Sequence, residues 1–449
     1  MHALTTHSTC QDVSRSAAPH SRTVARLSVA LALLATFGAC SGSTSTTPVA
    51  VCRTFVNMPY PAVSQFPLEI TRPVVGDGAV FVSYQDALNS YHLGSRIVAL
   101  RASDSTLLWS RADYAFIDTA NLALAGDILL LGTRPVLTAV RASDGTQLWQ
   151  LETGVSGEPE DMVVDQGVLY TTNDTEIYAV RIVDGQLLWK VRPPDEWMQP
   201  LNSPYYRHIR GPVVGDGAVY VGTISGPLMA LRAADGALLW HSPVASATPV
   251  PGANTGQSLT SLDPLLEFHG VLYVNAGDVA KPPLLLLRAS DGSVQGSFPL
   301  PPATPGSPAW YFFDPLPIGG ALYMGVSQSV EQPGTGSATY YLETGDGRPI
   351  WQTPVTFTPT YSVAHDTGIV LMGVHNDLIA VQVPDGKERW HLPWQWWAGS
   401  TTGTGGRLYI GQAGFVDRCD ASADRAPVVA VLDEADGSAI WVHTLLAPH

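Results

Sequence analysis

Residues Leu137–Trp149 read LTAVRASDGTQLW, and copies of this stretch recur along most of the 449-residue chain. In seven copies an Asp stands five residues before a Trp: Asp104/Trp109, Asp144/Trp149, Asp184/Trp189, Asp235/Trp240, Asp346/Trp351, Asp385/Trp390 and Asp436/Trp441. An eighth copy begins at Asp291 and has Gly296 in place of the Trp. Counted through Gly296, successive Trp positions are 40, 40, 51, 56, 55, 39 and 51 residues apart. This period is typical of the blades of a β-propeller.

Each repeat contains further short apolar runs upstream of its Asp, such as Val168–Thr172 and Ala218–Gly222. Their β-branched and aromatic residues favour strands, and the Gly-Asp-Gly and Ser-Asp-Gly sequences between them favour tight hairpin turns. Each repeat is therefore predicted to contain, in order, strand A, a tight turn, strand B, a loop, strand C, a second tight turn, and strand D with the Trp. The sequence predicts an all-β fold, an eight-bladed β-propeller of four-stranded antiparallel blades, over residues 66–449 with almost no helix.

The seven repeated Trp residues have a structural interpretation. A large flat side chain on the outer strand of a blade can cover the gap to the neighbouring blade, where it buries much apolar surface. We therefore expect docking roles, not ligand roles, for Trp109, Trp149, Trp189, Trp240, Trp351, Trp390 and Trp441. By the same argument, blade 5 has a vacancy at Gly296, which Phe298 could partly fill.

Segments such as Val98-Ala-Leu-Arg-Ala and Met229-Ala-Leu-Arg-Ala, each followed closely by Gly-x-x-x-Trp or its equivalent, resemble the repeat of pyrroloquinoline quinone (PQQ)-type propellers. The resemblance covers about residues 66–445 and implies the propeller fold. That superfamily contains quinoprotein dehydrogenases and also non-enzymatic members, among them an outer-membrane lipoprotein that serves barrel assembly. The fold alone does not choose between these functions.

The first 39 residues have the form of an export signal. Arg15, Arg22 and Arg26 precede the apolar run Leu27–Phe37, which is too short to span a bilayer as a helix. Phe37-Gly38-Ala39-Cys40 resembles a bacterial lipobox, which implies cleavage before Cys40 and lipidation of its sulfur; an ordinary signal with an incidental Cys is the alternative. Residues 40–65 then form a flexible linker. The sequence thus predicts an exported protein, anchored by lipid to the extracytoplasmic face of a bacterial membrane.

The cysteine count predicts a disulfide, and the net charge restricts the class of partner. Once Cys10 leaves with the signal and Cys40 carries lipid, Cys52 and Cys419 remain, and an oxidising compartment favours a disulfide between them. Since blades 1 and 8 are neighbours in a closed ring, this bridge would join the two ends of the domain. The formal charge of −15 makes nucleic acid an improbable partner.

The repeats differ mainly in two classes of loop, between strands B and C and between strand D and the next strand A. Both classes emerge at one end of an up-and-down blade, so one face is plain and the other is built up. We call the second the loop-rich face, and binding sites commonly lie on such loops. Its aromatic residues are predicted either to contact a ligand or partner, or to fold inward as lids over the blades: Trp197, Tyr206, Trp310, Trp394, Trp396 and Trp397.

A column of mostly polar residues falls near the start of strand A in successive repeats, at the predicted mouth of the central channel. Its members are Asn121, Glu160, Arg210, Asp263 and Asp314. Converging carboxylates and an Arg can bind a cation or a small polar ligand. The same residues can also form a water-filled plug of satisfied ion pairs.

No catalytic signature stands out from the sequence. There is no vicinal Cys pair, no Cys-x-x-Cys-His haem attachment sequence and no nucleophile elbow, and the His residues lack metal-ligand spacing. We therefore expect a non-catalytic monomer without a resident cofactor or metal, which binds envelope proteins or a small polar ligand. A PQQ-dependent dehydrogenase, with PQQ and a divalent cation, is the alternative.

Overall fold

The structure is a computed structural model of the chain, and it describes most of the repeats and the strands that form them. The described residues are 65–68, 70–89, 92–113, 121–133, 136–153, 160–173, 175–197, 209–223, 227–242, 262–276, 284–298, 310–312, 316–318, 321–323, 326–328, 337–342, 349–355, 361–364, 369–374, 377–382, 387–393, 401–412, 414–417 and 427–445. In blade 6, in the first two strands of blade 7 and in the pair Gln65–Leu68 with Gly414–Asp417, only the backbone is described.

The described residues form an eight-bladed propeller, as the repeat predicts. Blades 1 to 5 and blades 7 and 8 are four-stranded antiparallel sheets whose strands A, B, C and D follow one another in chain order. The strands of blades 1 to 3 are Val74–Gly76, Ala79–Asn89, His92–Arg101, Leu107–Asp113; Asn121–Ala125, Ile128–Thr133, Val136–Arg141, Gln147–Glu152; and Glu160–Asp165, Val168–Thr172, Ile177–Arg181, Leu187–Val191. Those of blades 4 and 5 are Ile209–Gly215, Ala218–Thr223, Met229–Arg232, Leu238–His241; and Leu262–Phe268, Val271–Ala276, Leu284–Arg288, Val294–Phe298.

The second half of the ring comprises blades 6 to 8. Blades 7 and 8 comprise Tyr361–Ala364, Ile369–Val374, Asp377–Gln382, Glu388–Pro393; and Thr401–Thr404, Arg407–Gln412, Val428–Asp433, Ala439–Thr444. Blade 6 comprises Trp310–Phe312, Leu316–Ile318, Ala321–Tyr323, Val326–Gln328, Ser337–Leu342 and Pro349–Val355. The only helical segment in the described part of the chain is the 3-10 turn Asp195–Trp197.

Blade 6 is described in shorter segments than the other blades. Of its strands A and B, the described segments pair antiparallel as Trp310–Phe312 with Val326–Gln328 and as Leu316–Ile318 with Ala321–Tyr323. The described segments of its strands C and D pair antiparallel with each other.

One correction concerns the segment Tyr84–Ser95 of blade 1, which the repeat pattern assigns to a loop. Instead, strands B and C continue as a long hairpin in which Tyr84 pairs with Arg96 and Asn89 pairs with His92. The side chain of Tyr84 is buried with Tyr409 and Val429 of blade 8. Because this burial lies beyond the usual end of strand B, the ladder extends past the length of the other blades.

The tight turns that the structure describes follow the chemistry that their sequence predicts. In blade 1 the A–B turn places Asp77 at φ 50° and Gly78 at φ 74°, the two positive angles of a type I′ hairpin turn. In the C–D turn of blade 2, the Asp144 carboxylate accepts the backbone N–H of Thr146 at 2.9 Å and pairs with Arg141 at 3.0 Å. These contacts, which are local in sequence, close the described hairpins.

The repeated Trp side chains connect neighbouring blades. Trp149 Nε1 donates to the carbonyl of Ile182 in blade 3 at 2.7 Å, and its ring lies against Gly185, where a Cβ would fall 2.5 Å from the ring. The other described pairs are Trp109 with Ala142, Trp189 with Ala233, Trp240 with Ala289, Trp390 with Glu434 and Trp441 with Ala102. The side chain of Trp351 lies outside the described residues.

The hydrophobic core is divided into clusters between adjacent blades. Between blades 2 and 3, for example, Leu130 and Leu137 pack with Leu169 and Tyr178. The ring closes in the same way, because Val80 and Val82 of blade 1 share a cluster with Tyr409 and other residues of blade 8. Trp441 and Arg407 both donate to the carbonyl of Ala102 at 3.0 Å, which fastens the last blade to the first.

Candidate functional site

The two ends of the propeller differ in construction. At one end, the N–H that follows strand C bonds to the A–B turn of the same blade, as from Ala102 to the carbonyl of Gly78 at 2.8 Å. Equivalent bonds run from Ala142, Ile182, Ala233, Ala289 and Glu434. The A–B and C–D turns therefore share the plain face. In antiparallel blades the B–C and D–A connections must emerge at the opposite end, which is the loop-rich face.

Trp197 is the one loop-rich-face aromatic of the predicted set whose side chain is described. It ends the 3-10 turn Asp195–Trp197 in the D–A connection between blades 3 and 4. Its ring lies 5.1 Å from that of His241 on the outer strand of blade 4, and it packs against the core cluster between these blades. Its half-buried position matches the lid interpretation for this residue.

For the other predicted aromatic residues, no side chain is described. Trp310 begins the first strand segment of blade 6, where only the backbone is described. Tyr206, Trp394, Trp396 and Trp397 lie outside the described residues. Their roles in recognition therefore stay predictions.

Four members of the predicted channel column occupy matching places in consecutive blades. Asn121 and Glu160 begin strand A of blades 2 and 3, while Arg210 and Asp263 are the second residues of strand A in blades 4 and 5. The backbones of these inner strands approach one another between successive blades. Asp314 and the side chains of Glu160 and Asp263 lie outside the described residues.

Arg210 is the member of this column with the most informative side chain. Its Nε is buried and has no hydrogen-bond partner within the described part of the protein. A buried guanidinium N–H favours an acceptor, and a carboxylate is the acceptor that it pairs with best.

A polar network on the loop-rich face joins blades 2 and 3, and the sequence analysis missed it. Asn173 Nδ2 donates to the carbonyl of Thr153 at 3.1 Å and to the hydroxyl of Tyr178 at 2.9 Å. The Tyr178 hydroxyl also lies within hydrogen-bond distance of Thr153 O and of the Glu176 carboxylate, which pairs with Lys190 at 3.0 Å. Burial, and then the Glu176 carboxylate, raise the pKa of Tyr178 well above its usual range. The hydroxyl therefore stays protonated and the network is held together at neutral pH.

A sequence signal for this network does exist. Asn173-Asp-Thr-Glu176 separates two strands, and Asn commonly accepts a backbone N–H two residues later. The structure contains this bond, from Thr175 N to Asn173 Oδ1 at 2.9 Å. The contact to Thr153 of the neighbouring blade has no such signal, because it depends on how the blades meet.

Among the described residues, no group of three His, Cys, Asp or Glu side chains is placed to hold a metal ion. The side chains of Glu160 and Asp263 lie outside the described residues, so the absence of a resident metal or quinone stays a prediction. No helix in the described ranges is long and apolar enough to cross a membrane.

A strand before blade 1 pairs with blade 8 on the loop-rich side. Gln65–Leu68 pairs antiparallel with Gly414–Asp417, a strand within the B–C connection of that blade, and Gln65 faces Asp417. Cys52 and Cys419 both lie outside the described residues, so their disulfide stays a prediction.

Comparisons with known proteins agree with this architecture. Among solved structures, the chain is similar to the computationally designed Ika8 protein (TM-score 0.54, 14% identity, 82% of this chain and 96% of that chain). It is also similar to BamB from Moraxella catarrhalis (TM-score 0.52, 14% identity, 78% and 97%) and to quinohemoprotein alcohol dehydrogenase from Comamonas testosteroni (TM-score 0.50, 14% identity, 78% and 72%). At such low identity these likenesses show the fold alone.

Sequence comparison gives the family. None of the curated proteins matches the chain significantly. A family model described as outer membrane protein assembly factor BamB matches residues 93–277, 133–315 and 182–364, which together span more than half of the chain. The repeat, the docked Trp side chains and this match agree, and the chain therefore belongs to the PQQ-type β-propeller repeat family described as outer membrane protein assembly factor BamB.

Proposed function

We propose that this chain is a lipid-anchored, extracytoplasmic propeller that binds other envelope proteins through its loop-rich face. One observation carries the proposal, namely the asymmetry between the two faces. On the plain face the turns are occupied by hydrogen bonds to one another, as between Ala102 and Gly78, and the connections there are short. The long, aromatic-rich connections all belong to the opposite face, where loops on a rigid scaffold commonly recognise partners.

Two structural details support this use of the face. The Asn173 network holds the B–C connection of blade 3 to blade 2, and Trp197 packs its D–A connection against the core between blades 3 and 4. A recognition surface whose loops are held in this way loses less conformational entropy on binding. Membership of a family described as an outer membrane assembly factor favours protein partners over a small substrate.

The test compares the two faces directly. The full chain with Trp394→Ser and Trp396→Ser changes the loop-rich face. Asp77→Asn with Asp216→Asn is the matched control on the plain face, because Asn tolerates the positive φ of these turns. We expect the first variant to lose capture of its partners from an envelope extract and the control to retain it, with both melting temperatures close to that of the unchanged chain. Loss of capture in the control alone would assign binding to the plain face.

Lipidation is a separate part of the proposal. Cys40→Ser should move the chain from the membrane fraction to the soluble fraction, because the lipid supplies the attachment. Mass spectrometry of the mature N-terminal peptide should show an acylated Cys40. An unmodified N-terminus at another residue would instead indicate an ordinary signal peptide.

The second candidate is a small-ligand or PQQ-binding propeller, and the buried Nε of Arg210 favours it. Titration of the full chain with PQQ and Ca²⁺, followed by fluorescence, tests it against Arg210→Ala. Saturable binding that the variant loses would favour the small-ligand function over the scaffold. Unchanged fluorescence at all concentrations would leave the scaffold as the function.

A further inference from the structure

The contact region between blades 5 and 6 differs from the others in its outer part, and we call each such region between two neighbouring blades a seam. At six other seams, the indole of a docked Trp lies between the outer strand of one blade and the C–D turn of the next. There the indole Nε1 donates to the carbonyl that follows strand C, at 2.7–3.0 Å. In blade 5, Gly296 has the place of the Trp, and a Cβ there would meet nothing within 4 Å.

The residue that pairs with the Trp position shows what the missing ring leaves uncovered. In five blades this residue is an Ala with 0% exposure: Ala99, Ala139, Ala179, Ala230 and Ala380. In blade 5 it is Leu286, which is partly exposed. Solvent therefore reaches an apolar side chain at a position that the other blades cover with an indole. We call the open volume beside Gly296 and Leu286 the Gly296 space.

The larger size of Leu286 is compatible with an indole beside it. In blade 8 the residue paired with Trp441 is Val431, and in blade 6 the residue paired with Trp351 is Tyr341. The repeat thus accepts side chains larger than Ala next to its Trp. Leu286 forms one apolar wall of the Gly296 space and does not replace the ring.

The two blades do not close the Gly296 space by a tighter approach. Among the described segments, the strands A of neighbouring blades run close together at every other seam, whereas those of blades 5 and 6 approach less closely. The connection from blade 5 to blade 6 contains no aromatic residue between Phe298 and Trp310. The stretch between these two residues therefore supplies no ring of its own to this seam.

The facing hairpin of blade 6 keeps the register of the repeat. Its strands C and D pair with Tyr341 opposite Trp351, and the register shifts directly after this pair, as it does in blade 2. Thr344 precedes Trp351 by seven residues, as Ala142 precedes Trp149. Because the carbonyl of Ala142 accepts an indole N–H, the repeat predicts the carbonyl of Thr344 as the equivalent acceptor at this seam.

We propose that the Gly296 space binds the indole ring of a tryptophan side chain that a partner protein supplies. The ring lies over Leu286 and donates to the C–D turn of blade 6, in the place that the chain's own Trp has at the other seams. Apolar cavities left by a missing side chain bind compounds of matching shape. The Gly296 space is on the outer strand of the blade, so the inference does not rest on the proposed role of the loop-rich face.

The experiment is a ligand-observed saturation-transfer NMR titration of the full chain, in a mild detergent, with N-acetyltryptophanamide. We expect saturable binding with a Kd of about 1 mM, because a single side chain lacks the rest of a partner's interface. N-acetylleucinamide should bind about tenfold more weakly or worse, since a flat ring fills the space better. The probe with a methylated indole nitrogen should also bind more weakly, because it has no N–H to donate.

Two variants locate the binding. Gly296→Trp fills the space from within the chain and should abolish binding of N-acetyltryptophanamide. Ser297→Trp is the matched control, because it adds an indole to the same strand on the opposite side, where side chains alternate. This control should bind the probe as the unchanged chain does. Neither variant should lower the melting temperature, since the Gly296 space is open and Ser297 is exposed.

Several results would overturn the proposal. They are the absence of saturable binding up to about 10 mM, ten times the expected Kd, binding that survives Gly296→Trp, and equal binding of N-acetylleucinamide. A melting temperature that falls with Gly296→Trp would show that the seam has no room for an indole. Binding gained only after Phe298→Ala would show that Phe298 already fills the space. Binding of free indole without N-acetyltryptophanamide would exclude a side chain as the source of the ring.

Discussion

Blades 2 and 5 derive from the same repeat. They differ in the pair of residues that joins strands C and D at the Trp position. In blade 2, Ala139 pairs with Trp149, whose indole reaches the carbonyl of Ile182 and lies against Gly185. In blade 5, Leu286 pairs with Gly296, and a Cβ at Gly296 would meet nothing within 4 Å. Leu286, which is larger than Ala139, thus pairs with Gly296, the residue that replaces the Trp in blade 5.

The local hairpin is nevertheless the same in both blades. Arg288 pairs with Asp291 at 3.1 Å, and Ser293 N bonds to Asp291 Oδ1 at 2.9 Å, as Arg141, Asp144 and Thr146 do in blade 2. The register of strands C and D shifts at the matching position in both blades. The comparison teaches that the turn and the bulge form without a Trp on the same outer strand, whereas the contact to the next blade depends on that Trp.

The largest effect should come from removing a docked ring. Trp149→Ala deletes the seam contact and leaves a cavity, and we expect a loss of about 3–5 kcal/mol in the free energy of unfolding. Denaturant unfolding measures it, with Leu148→Ala as the exposed neighbouring control, which should change stability by less than about 0.5 kcal/mol. Equal losses in the two variants would contradict the comparison of the two blades, because the docked ring would then contribute no more stability than an exposed neighbour.

The second effect tests the glycine under the ring. Gly185→Ala would place a Cβ 2.5 Å from Trp149 and also strain a φ of 72°, so we expect a loss of about 2–3 kcal/mol. Gly126→Ala has a positive φ of 60° but no atom within 4 Å, and should lose about 1 kcal/mol. The difference between the two losses measures the steric overlap between the added Cβ and the ring of Trp149. Equal losses would mean that the ring moves aside without cost.

The third effect restores the repeat in blade 5. Gly296→Trp should leave stability unchanged or raise it by up to about 2 kcal/mol, because the space around Gly296 is open. Adding Leu286→Ala recreates the Ala and Trp row of blade 2, and the double variant should melt higher than Leu286→Ala alone. A melting temperature that falls with Gly296→Trp in both backgrounds would contradict the shared repeat.

A smaller effect should come from a tyrosine hydroxyl that donates to the same carbonyl as the Trp at some contacts between blades. The Tyr220 hydroxyl lies 3.3 Å from the carbonyl of Ala289, which also accepts Trp240, and burial raises the pKa of Tyr220 to about 12. Tyr220→Phe should cost about 1 kcal/mol in unfolding measurements. Phe81 stands at this position in blade 1, so Phe81→Tyr serves as the reciprocal control and should not destabilise more than Tyr220→Phe.

The smallest effect is the pH dependence of the turns. The hydroxyl and backbone N–H of Ser293, and then Arg288, lower the pKa of Asp291 to about 2. A folded-state pKa below the unfolded value of 3.8 contributes stability that is present above about pH 4 and is lost as the pH falls toward 2. Melting temperatures between pH 6 and 2 should therefore show the same small change for Asp291→Asn and Asp144→Asn, since both turns have the same local bonds and each has the ring of the preceding blade's Trp against its Gly. A clearly larger change in one of the two variants would show that contacts outside the turn set its pH dependence.

Much of the candidate site could not be predicted from the sequence. The pattern located the loop-rich face, because insertions and aromatic residues are visible in the repeat alignment. It missed the contact between Asn173 and Thr153, which are 20 residues apart and meet only when blades 2 and 3 pack together. It also assigned Tyr84–Ser95 to a loop, since the burial of Tyr84 against blade 8 involves residues more than 300 positions away.

By itself the sequence determined the repeat: the eight units, the tight turns and the place of each Trp on its outer strand. These features depend on neighbouring residues, because Asp, Gly and β-branched side chains select turns and strands through local sterics and hydrogen bonds. Only the tertiary structure decided which carbonyl each indole meets, from 33 residues away for Trp109 to 339 for the closing contact of Trp441. Such outcomes depend on burial between distant segments, which local patterns do not encode.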